Sequence, residues 1–285
     1  MMETMDIAFP NLGIYLSDVP KSISVFGFSI AFYGMIIGCA ILIGLFVALK
    51  DARQSGQKEE LYWDFLLYAI FISIICARLY YVIFSFETYK HDLLSIFNIR
   101  LGGLAIYGGV IGALLTLLVY VKVKKQSFFQ MADTAVLGLV IGQAIGRFGN
   151  FMNREAFGGY TNNILAMRLP IEAVRKTEIT SDITSHIAQG ANYIQVHPTF
   201  LYESIWNILL FFCLWFYKKK KKFQGEIFFL YLAGYGLGRL WIEGLRTDQL
   251  LLWKTGLPIS QVLGCFLFMI STSYLVLKRI KMNKN

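Results

Sequence analysis

Apolar positions in this chain gather in long runs instead of the stripes of amphipathic helices or strands. Seven runs approach or exceed the roughly 20 helical residues that cross a hydrocarbon core. They are 26–49, 65–86, 101–121, 127–151, 200–217, 227–245 and 257–277. The first, third and seventh carry no charge. The pattern predicts an all-α integral membrane protein with seven transmembrane helices, forming one membrane-embedded domain over 1–285. No small-residue cleavage site comes after the first run, so it reads as a retained span. The longest polar segment, 152–199, has too few apolar residues for an independent core and is expected to form a small external head.

Composition agrees with the runs: of 285 residues, 56% are hydrophobic and only 16% charged. Soluble domains carry about 25% charged residues. The net charge of +9 is unevenly placed. Segments 50–64, 122–126, 218–226 and 278–285 hold 15 Lys and Arg in 37 positions; the alternate segments hold 9 in 98. Basic loops stay in the cytoplasm. The N-terminus is therefore expected outside and the C-terminus inside, with the lysine run 218–222 on the cytoplasmic face. Anchoring against anionic lipid accounts for the charge, so a nucleic-acid partner is not required. Cys39, Cys76, Cys213 and Cys265 fall within the runs without a CxxC pair, which suggests packing. No metal-ligand cluster and no cofactor motif is visible.

Polar residues inside the runs carry the chemistry. Arg78, Arg147 and Arg239 each cost about 2.5–3.5 kcal/mol at mid-membrane. The expected topology places all three toward the outer ends of their helices, at the level of Glu203, Glu243, Tyr33 and Tyr107. Asp133 lies near the opposite end and reads as structural. Arg147 and Asn150 are three apart and share a helix face. Tyr235, Arg239 and Glu243, spaced by four, form one stripe that Arg246 extends. The run LGGLAIYGGVIG, 101–112, permits either close helix packing or an unwound backbone. Guanidinium forks suit phosphate, and the phosphate at this depth belongs to a phospholipid. The residues thus reach a binder of phospholipid headgroups in the outer leaflet, without reaching its reaction.

One stretch narrows this. GRFGNFMNREAFG, 146–158, resembles the pattern G-R-x-G-N-F-x-N-x-E-x-x-G of prolipoprotein diacylglyceryl transferases. Gly146, Arg147, Gly149, Asn150, Phe151, Asn153, Glu155 and Gly158 fill every fixed position. FYG at 32–34, ARLYYV at 77–82, GGLAIYGG at 102–109, HPTFLYES at 197–204 and YGLGRLWIEGLRTD at 235–248 keep the family order.

The resemblance implies a monomeric, multi-pass enzyme of the bacterial cytoplasmic membrane, without metal or cofactor, its active site toward the outer leaflet. It would move the diacylglyceryl group of phosphatidylglycerol onto the lipobox cysteine of a prolipoprotein. A thioether forms and glycerol phosphate leaves. Arg147 and Asn150 would hold the headgroup, with Arg78, Tyr235, Glu203, Asn153 and Arg246 lining its site. Arg239 would stabilise the leaving phosphate and Glu243 would orient it. Tyr33, Glu155 and Tyr107 complete the expected reacting centre. Many members carry histidine at position 107, a natural base for a thiol. A neutral phenol is a poor base at pH 7, so the base stays open among Tyr107, Glu155 and Glu243. His197, before Pro198, reads as a residue bonding nearby backbone. Two other classes compete. A lipid or anion transporter predicts repeat symmetry between halves, and none is apparent. A seven-helix sensor would need a cytoplasmic coupling surface, yet the inner loops are short and basic.

Overall fold

The computed structural model describes residues 2–90, 92–98, 102–252 and 255–284. Leu101, the expected start of the third run, and Asn285, the end of the basic tail, lie outside them. The long helices are α1 (Phe32–Gln54), α2 (Glu60–Phe84), α4 (Ile106–Val123), α5 (Phe128–Asn153), α7 (Thr199–Tyr217), α8 (Glu226–Ile242) and α9 (Ile259–Lys284). Two are short: α3 (Phe86–Tyr89) and α6 (Ser181–Ser185). Among the described residues six helices are long and apolar enough to cross a membrane: α1, α2, α4, α5, α7 and α9. The sixth expected run is α8, 17 residues long, with a tight 3-10 turn at Glu243–Leu245.

The expectation of an all-α chain needs correction, because six strands are present among the described residues. They are β1 (Ile7–Phe9), β2 (Ile14–Leu16), β3 (Ser22–Val25), β4 (Phe28–Ala31), β5 (Met167–Pro170) and β6 (Tyr193–Val196). The first run was expected to be helical from residue 26. Instead β3 and β4 pair as a hairpin, with Val25 opposite Phe28, and the helix begins at Phe32. The reason is in the sequence SISVFGFSIA, where apolar residues alternate with serine, the period of a strand. Phe26 and Gly27 turn the hairpin at φ +50° and +81°, as two-residue hairpin turns require.

Two compact units make up the chain: 1–44 with 136–285, and 45–135. In the first, β2-β1-β5-β6 form an antiparallel sheet. Its core joins Ile7 and Phe9 to Phe157, Met167, Leu169, Val174, Ile183, Ile194, Val196 and Phe200. The core of the head is thus completed by the N-terminal strand and by Phe200, beyond segment 152–199 itself. Fully burying a side chain such as Ile7 or Phe9 stabilises by about 1.5–3 kcal/mol. In the same unit α8 packs on α9 through glycine contacts. A Cβ on Gly236 would stand 2.4 Å from the Gly264 carbonyl oxygen.

In the second unit α2 packs on α4. A Cβ at Gly108 would stand 2.4 Å from the Cys76 carbonyl oxygen, and one at Gly112 2.9 Å from Cys76 Cβ. Just before α4, Gly102 and Gly103 adopt φ +88° and +78°. The glycine-rich stretch thus both unwinds and packs closely. Asp133 is buried beside Thr134, whose hydroxyl donates to Asp51 Oδ2 at 2.6 Å and accepts from Gln57 Nε2 at 2.9 Å. The four cysteines are free.

Candidate active site

The motif 146–158 ends a helix and folds the next residues back over it. α5 stops at Asn153, and Arg154 takes the left-handed conformation, φ +56°. The Arg154 N–H donates to Phe151 O and the Glu155 N–H to Asn150 O, both at 3.1 Å. These are the two bonds of a Schellman C-terminus, where glycine is the usual residue. Ala156 is also left-handed, φ +57°. Glu155 therefore sits between two sparsely populated backbone conformations, held by the fold around them. Its carboxylate returns over the last helical turn, where Oε1 accepts from Asn150 Nδ2 at 3.0 Å. Asn150 in turn faces Arg147, Nη1 to Oδ1 at 3.4 Å. The face shared by residues three apart is thus present, extended by Glu155.

Arg147 reaches across to α7. Its Nη2 lies 2.6 Å from Glu203 Oε2. Glu203 is only 4% exposed and is met by two more arginines. Arg239 Nη1 lies 3.2 Å from Oε2, and Arg246 Nη1 3.3 Å from Oε1. Arg239 also pairs with Glu243 one turn on, and Arg246 binds Asp248 through both ends of its fork, at 2.9 and 2.7 Å. Burial alone would lower the Arg246 pKa. The hydrogen bond to Asp248, and the charges of Glu203, Asp248 and Glu243, overcome it and raise the value. One buried carboxylate thereby gathers guanidinium groups from the end of α5, from α8 and from the segment after it.

The motif glycines make room. A Cβ at Gly149 would stand 2.8 Å from the Tyr33 ring, so glycine lets that ring lie against the helix. A Cβ at Gly158 would stand 2.8 Å from the Leu245 carbonyl oxygen. Gly158 donates to His197 O at 3.0 Å and pairs with Arg246 as an antiparallel bridge. That bridge ties the motif to the arginine beyond α8. His197 also donates its own N–H to Gly159 O at 3.0 Å, while its ring nitrogen Nδ1 lies 3.1 Å from the Tyr202 hydroxyl. Burial lowers the His197 pKa.

Tyr33, Arg147, Asn150, Asn153, Glu155, Glu203, Tyr235, Arg239, Glu243 and Arg246 all belong to the first compact unit. Tyr235 stacks on Tyr231 one turn before Arg239, ring centroids 5.9 Å apart. Asn153 lines a cavity at the end of α5. Arg78 and Tyr107 belong to the second unit. There the buried Arg78 donates to the carbonyls of Ile96 at 2.7 Å, Ser95 and Gly102 at 2.9 Å and Gly103 at 3.0 Å. Its guanidinium also lies 5.1 Å from the Tyr89 ring centroid. These bonds fasten the segment before α4, a structural task alongside any contact with substrate. Tyr107 is the second residue of α4 and half-buried.

Several site neighbours were not singled out from sequence. Asp248 was within the quoted RTD stretch, and its pairing with Arg246 could have been suspected from a spacing of two. Arg154, between two fixed motif positions, carries buried bonds to Met5 O at 2.6 Å and to Val19 O. No local pattern announces contacts over 130 residues away. The Arg175 guanidinium lies 3.5 Å from Glu155 and 3.3 Å from Glu178.

Residues 20–277 match the sequence model of the family described as "Prolipoprotein diacylglyceryl transferase". The phosphatidylglycerol–prolipoprotein diacylglyceryl transferase of Listeria monocytogenes serotype 4a (strain HCC23) is 42% identical over 266 residues, 93% of this chain and 91% of its own length. Its namesake from Clostridioides difficile (strain 630) is 41% identical over 241 residues, 85% of this chain and 88% of its own. That of Geobacillus kaustophilus (strain HTA426) is 40% identical over 253 residues, 89% and 90%. With its motif arginine locked to Glu203 and its family match running almost end to end, the chain belongs to the prolipoprotein diacylglyceryl transferase family.

Proposed function

We propose that this chain transfers the diacylglyceryl group of phosphatidylglycerol to the lipobox cysteine of prolipoproteins, in the outer leaflet of a bacterial cytoplasmic membrane. The observation that carries this reading is the convergence of Arg147, Arg239 and Arg246 on the buried Glu203. In the reaction the cysteine sulfur attacks the glyceryl carbon that bears phosphate. A C–S bond forms, the C–O bond breaks with its electron pair on the phosphate, and the thiol proton passes to a base. The departing phosphodiester becomes a monoester and gains charge. Guanidinium groups already fixed by carboxylates stabilise that charge without reorganising, the condition for electrostatic catalysis. Arg147 and Asn150 take the headgroup, and Arg239 takes the leaving oxygen, held in aim by Glu203 and Glu243. Glu155 and Tyr33 stand at the thiol side. Tyr235 and Asn153 border the site. In bilayers containing phosphatidylglycerol, the purified chain should convert a lipobox peptide to a more hydrophobic species. A peptide with serine for the cysteine should stay unchanged; conversion of both, or of neither, would contradict the reading.

The orientation proposed is N-terminus outside, with seven spans. The outward N-terminus rests on the basic asymmetry of the loops, and the β1–β5 pairing supports the count, since strands on either side of α1, α2, α4 and α5 share one sheet. Four crossings return a chain to the side it left. The Gly158–Arg246 bridge does the same for α7 and α8. This favours counting α8 as a span: its 17 residues rise about 25 Å, and a 3-10 turn extends them. A reporter active only in the cytoplasm should work when fused after Lys222 or Asn285 and fail within 160–190. Activity within 160–190 would overturn the orientation.

Tyr107 is proposed to position substrate through its ring. Tyr107→Phe should then retain much of the transfer rate, and Tyr107→His should be tolerated. If the hydroxyl moves a proton, Tyr107→Phe should lose about 10²-fold or more. Rates of the three forms at matched expression decide. An inactive phenylalanine variant beside an active histidine variant would assign proton transfer or headgroup bonding to this position.

A further inference from the structure

The turn that ends α5 also walls a cavity of about 320 Å³, lined by Lys21, Asn153, Arg154, Glu155, Ala173, Val174 and Arg175. It adjoins the arginine cluster through a single residue. Glu155 offers Oε1 to Asn150 on one side and lies, by Oε2, 3.5 Å from Arg175 on the other. Lys21, Arg175 and the shared carboxylate line this space, with Arg154 buried in its wall. Arg154 is only 2% exposed, and its terminal nitrogens are spent on the carbonyls of Met5, Val19 and Met152. Its Nε is buried and has no hydrogen-bond partner. Such an orphaned cationic donor is costly and lies on a residue of the cavity wall. Lys21 gives one of an ammonium's three donors to Ala173 O at 3.1 Å. Its pKa is lowered by burial and then by the charges of Arg154 and Arg175, so positive charge is crowded here.

Size and lining narrow the ligand. The volume is near the lower limit of small-molecule sites, about 300 Å³. Ala173 and Val174 are the apolar wall residues, too little surface for acyl chains. A small, anionic, hydroxylated molecule fits these terms: its phosphate would meet Lys21 and Arg175, in the field of the buried Arg154, and its hydroxyls Asn153 and Glu155. We propose that the cavity binds glycerol phosphate, receiving the leaving group beside Glu155 before it reaches solvent. This rests on the transfer reaction proposed above, which produces that molecule.

The probe is glycerol 1-phosphate, titrated calorimetrically into the purified full-length chain in micelles without phosphatidylglycerol. Binding is expected, weaker for inorganic phosphate, and Lys21→Gln or Arg175→Gln should each weaken it about tenfold, the equivalent of about 1.4 kcal/mol for a lost charged contact. Unaltered affinity in both variants overturns the proposal. Equal affinity for inorganic phosphate overturns the polyol assignment. A raised KM for phosphatidylglycerol with unaltered glycerol phosphate binding would instead give the cavity to the lipid headgroup, and so also overturns it. Absence of transfer by the parent chain would count against the reaction alone, because the calorimetric result is read without turnover.

Discussion

Replacing Arg147 by lysine is expected to lower transfer about 10²-fold or more while the protein still inserts and folds. Removing a single transition-state donor commonly costs that much. The reason is geometric. Arg147 uses one terminal nitrogen toward Glu203 at 2.6 Å and the other toward Asn150 at 3.4 Å. A planar fork can do both and still present an edge to phosphate, whereas an ammonium is a point charge that would stay with Glu203. The check is the initial rate at saturating phosphatidylglycerol, beside the elution profile of each purified form. Near-parental turnover in the lysine variant would show that charge alone suffices and that the headgroup assignment is wrong.

The second large effect is expected at Glu203, which no other carboxylate in the cluster can replace. It is buried and receives Arg147, Arg239 and Arg246 together. Breaking a buried ion pair by deleting one partner typically costs about 3–5 kcal/mol, because the charge left behind has lost its compensation. Glu203→Leu should therefore lower the thermal transition in detergent and abolish transfer. Glu203→Gln keeps the shape and one accepting oxygen but not the charge, so it should retain more stability than leucine while losing most activity. The measurement is the melting temperature and rate of both variants. If leucine melts as the parent does, the three arginines are held by something other than Glu203.

The helices were legible because a membrane span writes itself in hydropathy; α2, α5, α7 and α9 lie where their runs do. The hairpin 22–31 was hidden by the same signal: its alternation was absorbed into a longer apolar run. The head was half visible. Segment 152–199 reads as polar, and its missing core residues, Ile7 and Phe9, lie about 150 positions upstream. Helical spacing did reveal Arg147 with Asn150 and Arg239 with Glu243, since i, i+3 and i, i+4 are local. It could not reveal that Arg246 and Arg147 meet the same carboxylate on α7, nor that Arg154 clasps the N-terminal segment. Both are tertiary contacts. The resemblance at 146–158 supplied the chemistry that residue types alone left at phospholipid binding. The geometry adds why those positions are what they are: a helix end, a left-handed turn and a carboxylate folded back over it.

The central claim is that this site forms a thioether while expelling glycerol phosphate, and one measurement tests it most directly. A lipobox peptide is incubated with the purified chain and phosphatidylglycerol, then analysed by mass spectrometry while soluble glycerol phosphate is quantified. The account predicts a peptide heavier by one diacylglyceryl group, linked at cysteine, resistant to hydroxylamine at neutral pH, with one glycerol phosphate released per peptide modified. A hydroxylamine-labile acyl adduct, or phosphatidylglycerol moved between leaflets with the peptide unmodified, would contradict it.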